Sequence, residues 1–228
     1  MPLLLACVVL FGYPEESQAA PSNGVRLPPK GRAQAGYEFN VMFKRPLGRS
    51  YGNLKTRDHF YTVSLGLLDW LSLDGKIGLG DVMRKGGTRL AKLEFNTGFA
   101  GGYGFRIRAF EYEPWKVTFV LGAQHICVHP EVRSVNNDKF TSILDDWQVC
   151  GLAAKDFEFL TAYAGIKGSE CYFIYQINKH DRKRRSSKNH IGLVGGLDFY
   201  LFEDKLRVGV EARFFDETAF STAVAYLF

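Results

Sequence analysis

Four residues of this 228-residue chain have the side-chain types that hydrolytic chemistry uses and lie near one another: His125, His129, Asp145 and Asp146. A histidine beside a carboxylate can move a proton, and paired histidines can hold a metal ion. The spacing argues against both uses. His125 and His129 are four positions apart, about 13 Å on an extended strand, too far to share one ion directly. Asp145 and Asp146 are adjacent, so on a regular strand they point to opposite faces. They read as polar residues at a water boundary. His180 and His190 flank a basic segment, but two histidines alone make a weak metal site. No Gly-rich phosphate loop, paired CxxC motif or G-x-S-x-G elbow is present. The stretch GFAGGYGF, Gly98 to Phe105, alternates aromatic residues with glycine as a strand does. The sequence therefore assigns no catalytic residue, no metal ligand and no cofactor.

A larger chemical pattern runs through the chain. Charged residues recur at alternate positions of otherwise apolar segments, as they must if one face of a strand is polar. Tyr37, Phe39, Val41 and Phe43 alternate with Glu38, Asn40, Met42 and Lys44; Leu71, Leu73, Ile77 and Leu79 alternate with Ser72, Asp74, Lys76, Gly78 and Gly80. The reading of the next segment sets Leu93, Phe95, Phe99, Tyr103, Phe105 and Ile107 against Glu94, Asn96, Gly98, Gly102, Gly104, Arg106 and Arg108. Further on, Asp198, Arg207, Glu211 and Arg213 occupy the polar face. Glycine among these charges suits a narrow interior and only weakens an exposed strand. The charges of Glu38, Lys44, Asp74, Lys76, Glu94, Arg106, Arg108, Asp198, Arg207, Glu211 and Arg213 are thus expected to line a lumen. Acids and bases are balanced enough to pair across it.

About ten such segments (8–12) follow one another, with long polar loops alternating with short turns at YEPW, DFEF and FEDK. This predicts an all-β, antiparallel up-and-down barrel with short turns at one end and longer loops at the other. Strands of about ten residues cross a bilayer when tilted. Alternation slips near Gln124 and His125, and near Gly168 to Glu170, where bulges are expected. RPLGRSYGNLKTRDH reads as a polar segment before the second strand. A lipocalin-like soluble barrel is the competing architecture.

The N-terminus reads as a processed leader. PLLLACVVLFGY is an apolar run of signal-peptide length, and SQA at Ser17 to Ala19 suits cleavage before Ala20. A lipobox ending at Cys7 and a buried strand are other readings of the same run. Residues 1–19 are then a signal peptide, 20–35 an extended lead-in rich in Pro and Gly, and 36–228 the barrel. Cys127, Cys150 and Cys171 remain, an odd number at irregular spacing, and read as small buried strand residues. The net charge is +5 and the pI about 9.0. It is densest in KHDRKRRSSKNH, Lys179 to His190. That run reads either as a solvated loop or as a contact for anionic headgroups or polysaccharide. No recognition motif for nucleic acid accompanies it.

The chain's last ten residues, AFSTAVAYLF, place Phe220, Val224, Tyr226 and Phe228 on one face. Here the chain resembles bacterial outer-membrane β-barrel proteins, from Gly36 to Phe228. In that family the terminal strand ends in Phe, with an aromatic residue two positions earlier. The resemblance implies export to the outer membrane and contact with its lipid. It also implies recognition of the terminal strand by periplasmic chaperones and the barrel assembly machinery. Within this class it suggests a small opacity- or OmpX-like barrel with a side-chain-filled lumen, acting structurally or through its surface. Alternatives are a narrow porin for small solutes or ions and a rim-located hydrolase of the omptin or lipid-modifying kind. No omptin motif is recognisable, so no enzyme is expected.

Overall fold

The computed structural model describes residues 24–87, 92–135, 137–180 and 182–228. Ten long strands pair only with antiparallel neighbours and close on themselves. They are β1 (Ala33–Pro46), β2 (Asn53–Leu68), β3 (Leu71–Lys85), β5 (Gly98–Tyr112), β6 (Val117–His129), β8 (Asp138–Phe157), β9 (Leu160–Ile177), β11 (Ile191–Leu201), β12 (Leu206–Phe214) and β13 (Thr218–Leu227). Three short strands extend the rim: β4 (Leu93–Glu94) on β3, β7 (Arg133–Val135) on β8, and β10 (Lys183–Ser186) on β9. Closure is the β1–β13 pairing, with Tyr37 opposite Val224 and Gln34 opposite Leu227. The Phe228 N–H donates to the Ala33 carbonyl at 2.8 Å, sealing the seam to its end.

The register fixes the barrel's shape. Moving sideways from Leu160 on β9, the partners are Phe199, Val208, Val224, Tyr37, Tyr61, Ile77, Gly101, Cys127 and Asp145. The circuit returns to β9 at Tyr172, twelve residues further along the same strand. That stagger over ten strands tilts each strand by about 40° and gives about 2.5 Å of height per residue. An apolar band about 25 Å tall therefore needs about ten residues per strand. β8 has 20 residues and β9 has 18, so both rise well beyond it.

The faces sort accordingly. Outward side chains toward the short-turn end of each strand are apolar: Tyr61 is 70% exposed and Ile77 59%, while inward Phe60 is fully buried. Beyond the band the polarity inverts. On β2, outward Arg57 and inward Leu54 replace outward Val63 and inward Ser64. RPLGRSYGNLKTRDH is thus largely strand: β2 begins at Asn53, inside the stretch expected to be a connection. Likewise Leu93 and Phe95 do not share a strand face with Phe99. They are buried in the mouth, whereas Phe99 is exposed on the outer wall.

No bulge lies at Gln124–His125 or at Gly168–Glu170; pairing is regular through both. Hydrophobic alternation lapses there because outward His125 and Glu170 approach the end of the apolar band, while the backbone alternation continues. The register shifts lie at Met42 to Arg45, Gly66 to Leu68 and Arg108 to Phe110.

Interior glycines set the bore. A Cβ added at Gly104 would sit 2.1 Å from the Ala123 carbonyl oxygen, while one at outward Gly75 meets only Val63 Cγ1 at 3.4 Å. Gly104→Val is expected to destabilise the barrel by about 1–3 kcal/mol through overpacking, and Gly75→Val to be nearly neutral. The temperature at which the unboiled, compact gel band is lost measures both; equal behaviour would contradict the assigned faces.

Candidate functional site: a charge-paired lumen

The lumen is filled at three levels, each built from alternate strand positions. At the short-turn end, the segment before β1 turns back inside the barrel. The Arg106 guanidinium donates to both oxygens of Asp74, at 2.8 and 2.7 Å, to Ser64 Oγ at 3.0 Å, and to the Gly24 carbonyl at 2.7 Å. The Val25 N–H donates to Asp198 Oδ2 at 3.2 Å, and Asp198 also faces Arg207 at 3.3 Å. Val25 packs on Val120, Leu152, Tyr163 and Val194. Arg26 lies 3.1 Å from Asp156 and 4.0 Å above the Tyr200 ring. Gly66 leaves room for the chain to pass: a Cβ there would lie 2.3 Å from the Pro29 carbonyl oxygen. Residues 24–32 are therefore an inner strap across this mouth, while the expected leader at 1–19 and residues 20–23 lie outside the described residues.

At mid-height Lys76 donates to Glu38 at 2.9 Å. Above it, the connection from β12 to β13, residues 215–217, dips into the bore. Asp216 and Glu217 are buried there. Lys167 Nζ lies 2.5 Å from Glu217 Oε1 and 3.0 Å from Asp216 Oδ2. Arg45 reaches Asp146 at 2.6 Å and Glu217 at 3.1 Å, and donates to Ser169 Oγ at 2.5 Å. Arg213 approaches Glu211 at 3.4 Å and Glu217 at 3.1 Å. Tyr163 donates to Glu211 at 3.1 Å. The Arg213 guanidinium also bonds Asn40, whose amide donates to Asp58 at 2.8 Å.

At the loop end the bore becomes apolar. Leu54, Val82, Leu93, Phe95, Leu144 and Phe173 are buried together, with Phe95 edge-on to Phe173 at 6.3 Å.

The structure brings Glu38, Asp74, Lys76, Arg106, Asp198, Arg207, Glu211 and Arg213 to the inner wall. Three others of the expected set lie elsewhere. Lys44 is exposed, because the register shift after Met42 turns it outward and puts Arg45 in the bore. Glu94 sits on the outer rim, paired with Lys92, because β4 is a separate rim strand. Arg108 lies at the short-turn mouth, 3.3 Å from Glu111, where the strand shifts register before Phe110. Arg45, Asp146, Lys167, Asp216 and Glu217 were not among the expected lumen charges. Lys167 and Asp146 do carry the alternation signal; Asp216 and Glu217 sit in a connection, which no strand periodicity reaches.

His125 and Asp145 do meet, with Nε2 to Oδ1 at 2.5 Å, and His125 stacks on Trp147 at 4.2 Å between ring centres. They lie on the outer wall, in the same outward register as Tyr103 and Cys127. Asp146 faces inward to Arg45. His129 lies 2.9 Å from Cys127 Sγ. Phe220, Val224, Tyr226 and Phe228 all project outward beside the seam, Tyr226 and Phe228 edge-to-face at 5.1 Å.

An apolar wall outside, ion pairs inside and no open edge along the seam decide the class. The chain is a transmembrane β-barrel of the outer-membrane type. Among solved structures, it is similar to an outer membrane channel from Pseudomonas putida F1 (10% identity, TM-score 0.43, 92% of this chain and 100% of that one). It is also similar to the translocator domain of the autotransporter NalP from Neisseria meningitidis (12%, 0.45, 91% and 90%). A third is the outer membrane protease OmpT from Escherichia coli (8%, 0.40, 91% and 99%). No protein-family model and no curated protein sequence matches the chain.

Glu217 is the point where the barrel's upper charges converge. Burial alone would raise its carboxyl, but Lys167, then Arg213 and Arg45, hold it well below the usual carboxylate range. A folded pKa below the ordinary 4.5 means its contribution is complete above that pH and is lost as pH falls toward the folded value. Glu217→Gln should cost about 3–5 kcal/mol, because three buried cations lose a shared anion. Unfolding followed from pH 7 down to pH 3 should show wild type losing stability below about pH 4.5 and the variant losing less over that range. Parallel curves would contradict the role given to Glu217.

Proposed function

We propose that this chain is an integral outer-membrane protein whose barrel is a sealed structural element that acts through its surface. The filling of the lumen at three levels carries this reading: the strap, the ion-pair layer and the apolar lid. Each level sets buried groups across the bore, and a ten-stranded barrel has little width to spare. On this reading the short-turn end faces the periplasm, the loops face outward, and export uses the leader at 1–19. The periplasmic chaperones and assembly machinery would engage Phe220, Val224, Tyr226 and Phe228, and outer-membrane lipid would contact the apolar wall.

A narrow path for ions or small solutes is the second reading. It draws on a cleft of about 190 Å³ at the periplasmic mouth, bordered by Arg26, Arg108, Glu111 and Asp156. It also draws on the excess of four carboxylates (Asp146, Glu211, Asp216, Glu217) over three cations (Arg45, Lys167, Arg213) in the upper layer. Planar-bilayer recordings separate the two. The purified wild type should give no large, stable conductance steps, and Val25→Gly/Arg26→Gly, which loosens the strap, should at most flicker because the layers above remain. Large steady steps from wild type would sink the sealed reading and favour the narrow porin.

A hydrolase reading rests on the His125–Asp145 pair. That pair faces the lipid side rather than the bore, which disfavours a rim protease acting on a substrate held in the mouth. Purified wild type should show neither peptidase nor lipid-hydrolase activity; an activity that vanishes in folded His125→Ala would reverse this reading.

A further inference from the structure

We propose that β10 and its flanks form a docking surface for an anionic polysaccharide chain. This deepens the surface-acting reading above and rests on it.

The loop between β9 and β11 is an ordered part of the rim. β10 pairs with the upper part of β9, Lys183 opposite Tyr175 and Ser186 opposite Tyr172. Ser187 bridges to Leu47, and Lys188 N–H donates to the Pro46 carbonyl at 2.8 Å. β10 thus spans the gap that the short β12–β13 connection leaves between β9 and β1. A rigid strand presents its side chains in fixed order, so little ordering entropy is lost on binding.

Lys179, Arg182, Lys183, Arg184, Arg185 and Lys188 form no ion pair with a carboxylate among the described residues. Two rim cations elsewhere do have partners, Arg57 with Asp81 at 2.6 Å and Lys92 with Glu94; what sets β10 apart is the density of its cations. Two of the guanidiniums are held in place by aromatic rings instead. Arg184 lies 3.3 Å above the Tyr172 ring and Arg185 4.2 Å above the Tyr51 ring. Stacking fixes the plane of each fork and leaves N–H edges for carboxylate, sulfate or phosphate groups.

Height selects the occupant. At the loop end of β11 the strongly exposed apolar residue is Ile191, at 71% exposure, opposite Gly168. β10 starts at Lys183 opposite Tyr175, seven residues higher, and ends at Ser186 opposite Tyr172, four residues higher. At about 2.5 Å per residue this is about 10–18 Å above Ile191. A headgroup layer is only about 5–8 Å thick, so the cations stand beyond it, where polysaccharide chains lie. Nucleic acid is the poorer fit. Its single strands need free aromatic faces for bases to stack on, and Tyr172 and Tyr51 are already covered by Arg184 and Arg185.

The test uses the full folded chain in discs of zwitterionic phosphatidylcholine, with heparin as the probe. Wild type should bind heparin and release it as salt rises, because screening weakens exposed ionic contacts. Arg182→Gln/Lys183→Gln/Arg184→Gln/Arg185→Gln should bind about tenfold more weakly or less, while keeping the compact unboiled gel band. Arg184→Lys/Arg185→Lys keeps the charge but loses the fork, and should fall between the two. Failure of wild type to bind heparin overturns the proposal, as does undiminished binding by the fourfold variant. Equal affinity for single-stranded DNA of matched charge overturns the polysaccharide assignment. Binding that requires phosphatidylglycerol in the discs overturns the placement beyond the headgroups. None of these readings depends on whether the bore conducts, so failure here and failure of the sealed-lumen reading are separable.

Discussion

Hydrocarbon offers a backbone amide no partner, so every N–H and C=O within the bilayer must be paired by the chain itself, at a cost of several kcal/mol for each one missed. In this protein the requirement is met by one seam. β13 lies between β12 and β1, and its register with β1 runs from Gln34–Leu227 to the shift after Met42–Ala219. The ten-strand closure, the twelve-residue stagger and the strand tilt are geometric consequences of that seam. With the tilt set, so is the number of residues that lie in lipid. The remainder of the long strands β8 and β9 must stand in water.

This division of each strand explains why the interior changes character along the axis. Where the outside is lipid, the apolar side chains go outward and the polar ones meet inside, at Arg106–Asp74, Lys76–Glu38 and the cluster around Glu217. Buried ion pairs are weak evidence for stability, since desolvation offsets most of their attraction. Here the alternative for a charge on the inner wall is no partner at all, and the network is what makes a polar bore compatible with a compact barrel. Where the outside is water, the same strands bury apolar residues instead: Leu54, Val82 and Phe173 pack together in the upper bore. The two regimes meet near Asp58 and Phe60 on β2, within one turn of the alternation.

On the reading proposed above, the three filled levels make the interior structural and leave the outer end to meet the surroundings. The strap at Gly24–Arg32 is held by backbone as well as side-chain contacts, through the Gly24 carbonyl and the Val25 N–H. The upper rim is completed by β10 rather than by a long β12–β13 loop, and this places a run of cations at a fixed height above the membrane.

The sequence by itself determined the architecture: period-two alternation, turns at YEPW, DFEF and FEDK, and the outward Phe220, Val224, Tyr226 and Phe228 are local properties of strands in lipid. It also marked Glu38, Asp74, Lys76, Arg106, Asp198, Arg207, Glu211 and Arg213, because a charge at an alternate position of an apolar strand has only one side to go to. Only the tertiary structure decided the rest. A single register shift after Met42 exchanges Lys44 for Arg45, and no residue type announces a shift whose cause is the pairing with β2 and β13. Asp216 and Glu217 enter the bore because β12 and β13 end low and β10 spans the gap above them. Leu93 and Phe95 fold into the mouth because the wall beside them has already left the membrane. Alternation reports which side of a strand a residue takes; whether that side is lipid, water or lumen depends on height, and height is set by closure of the whole barrel.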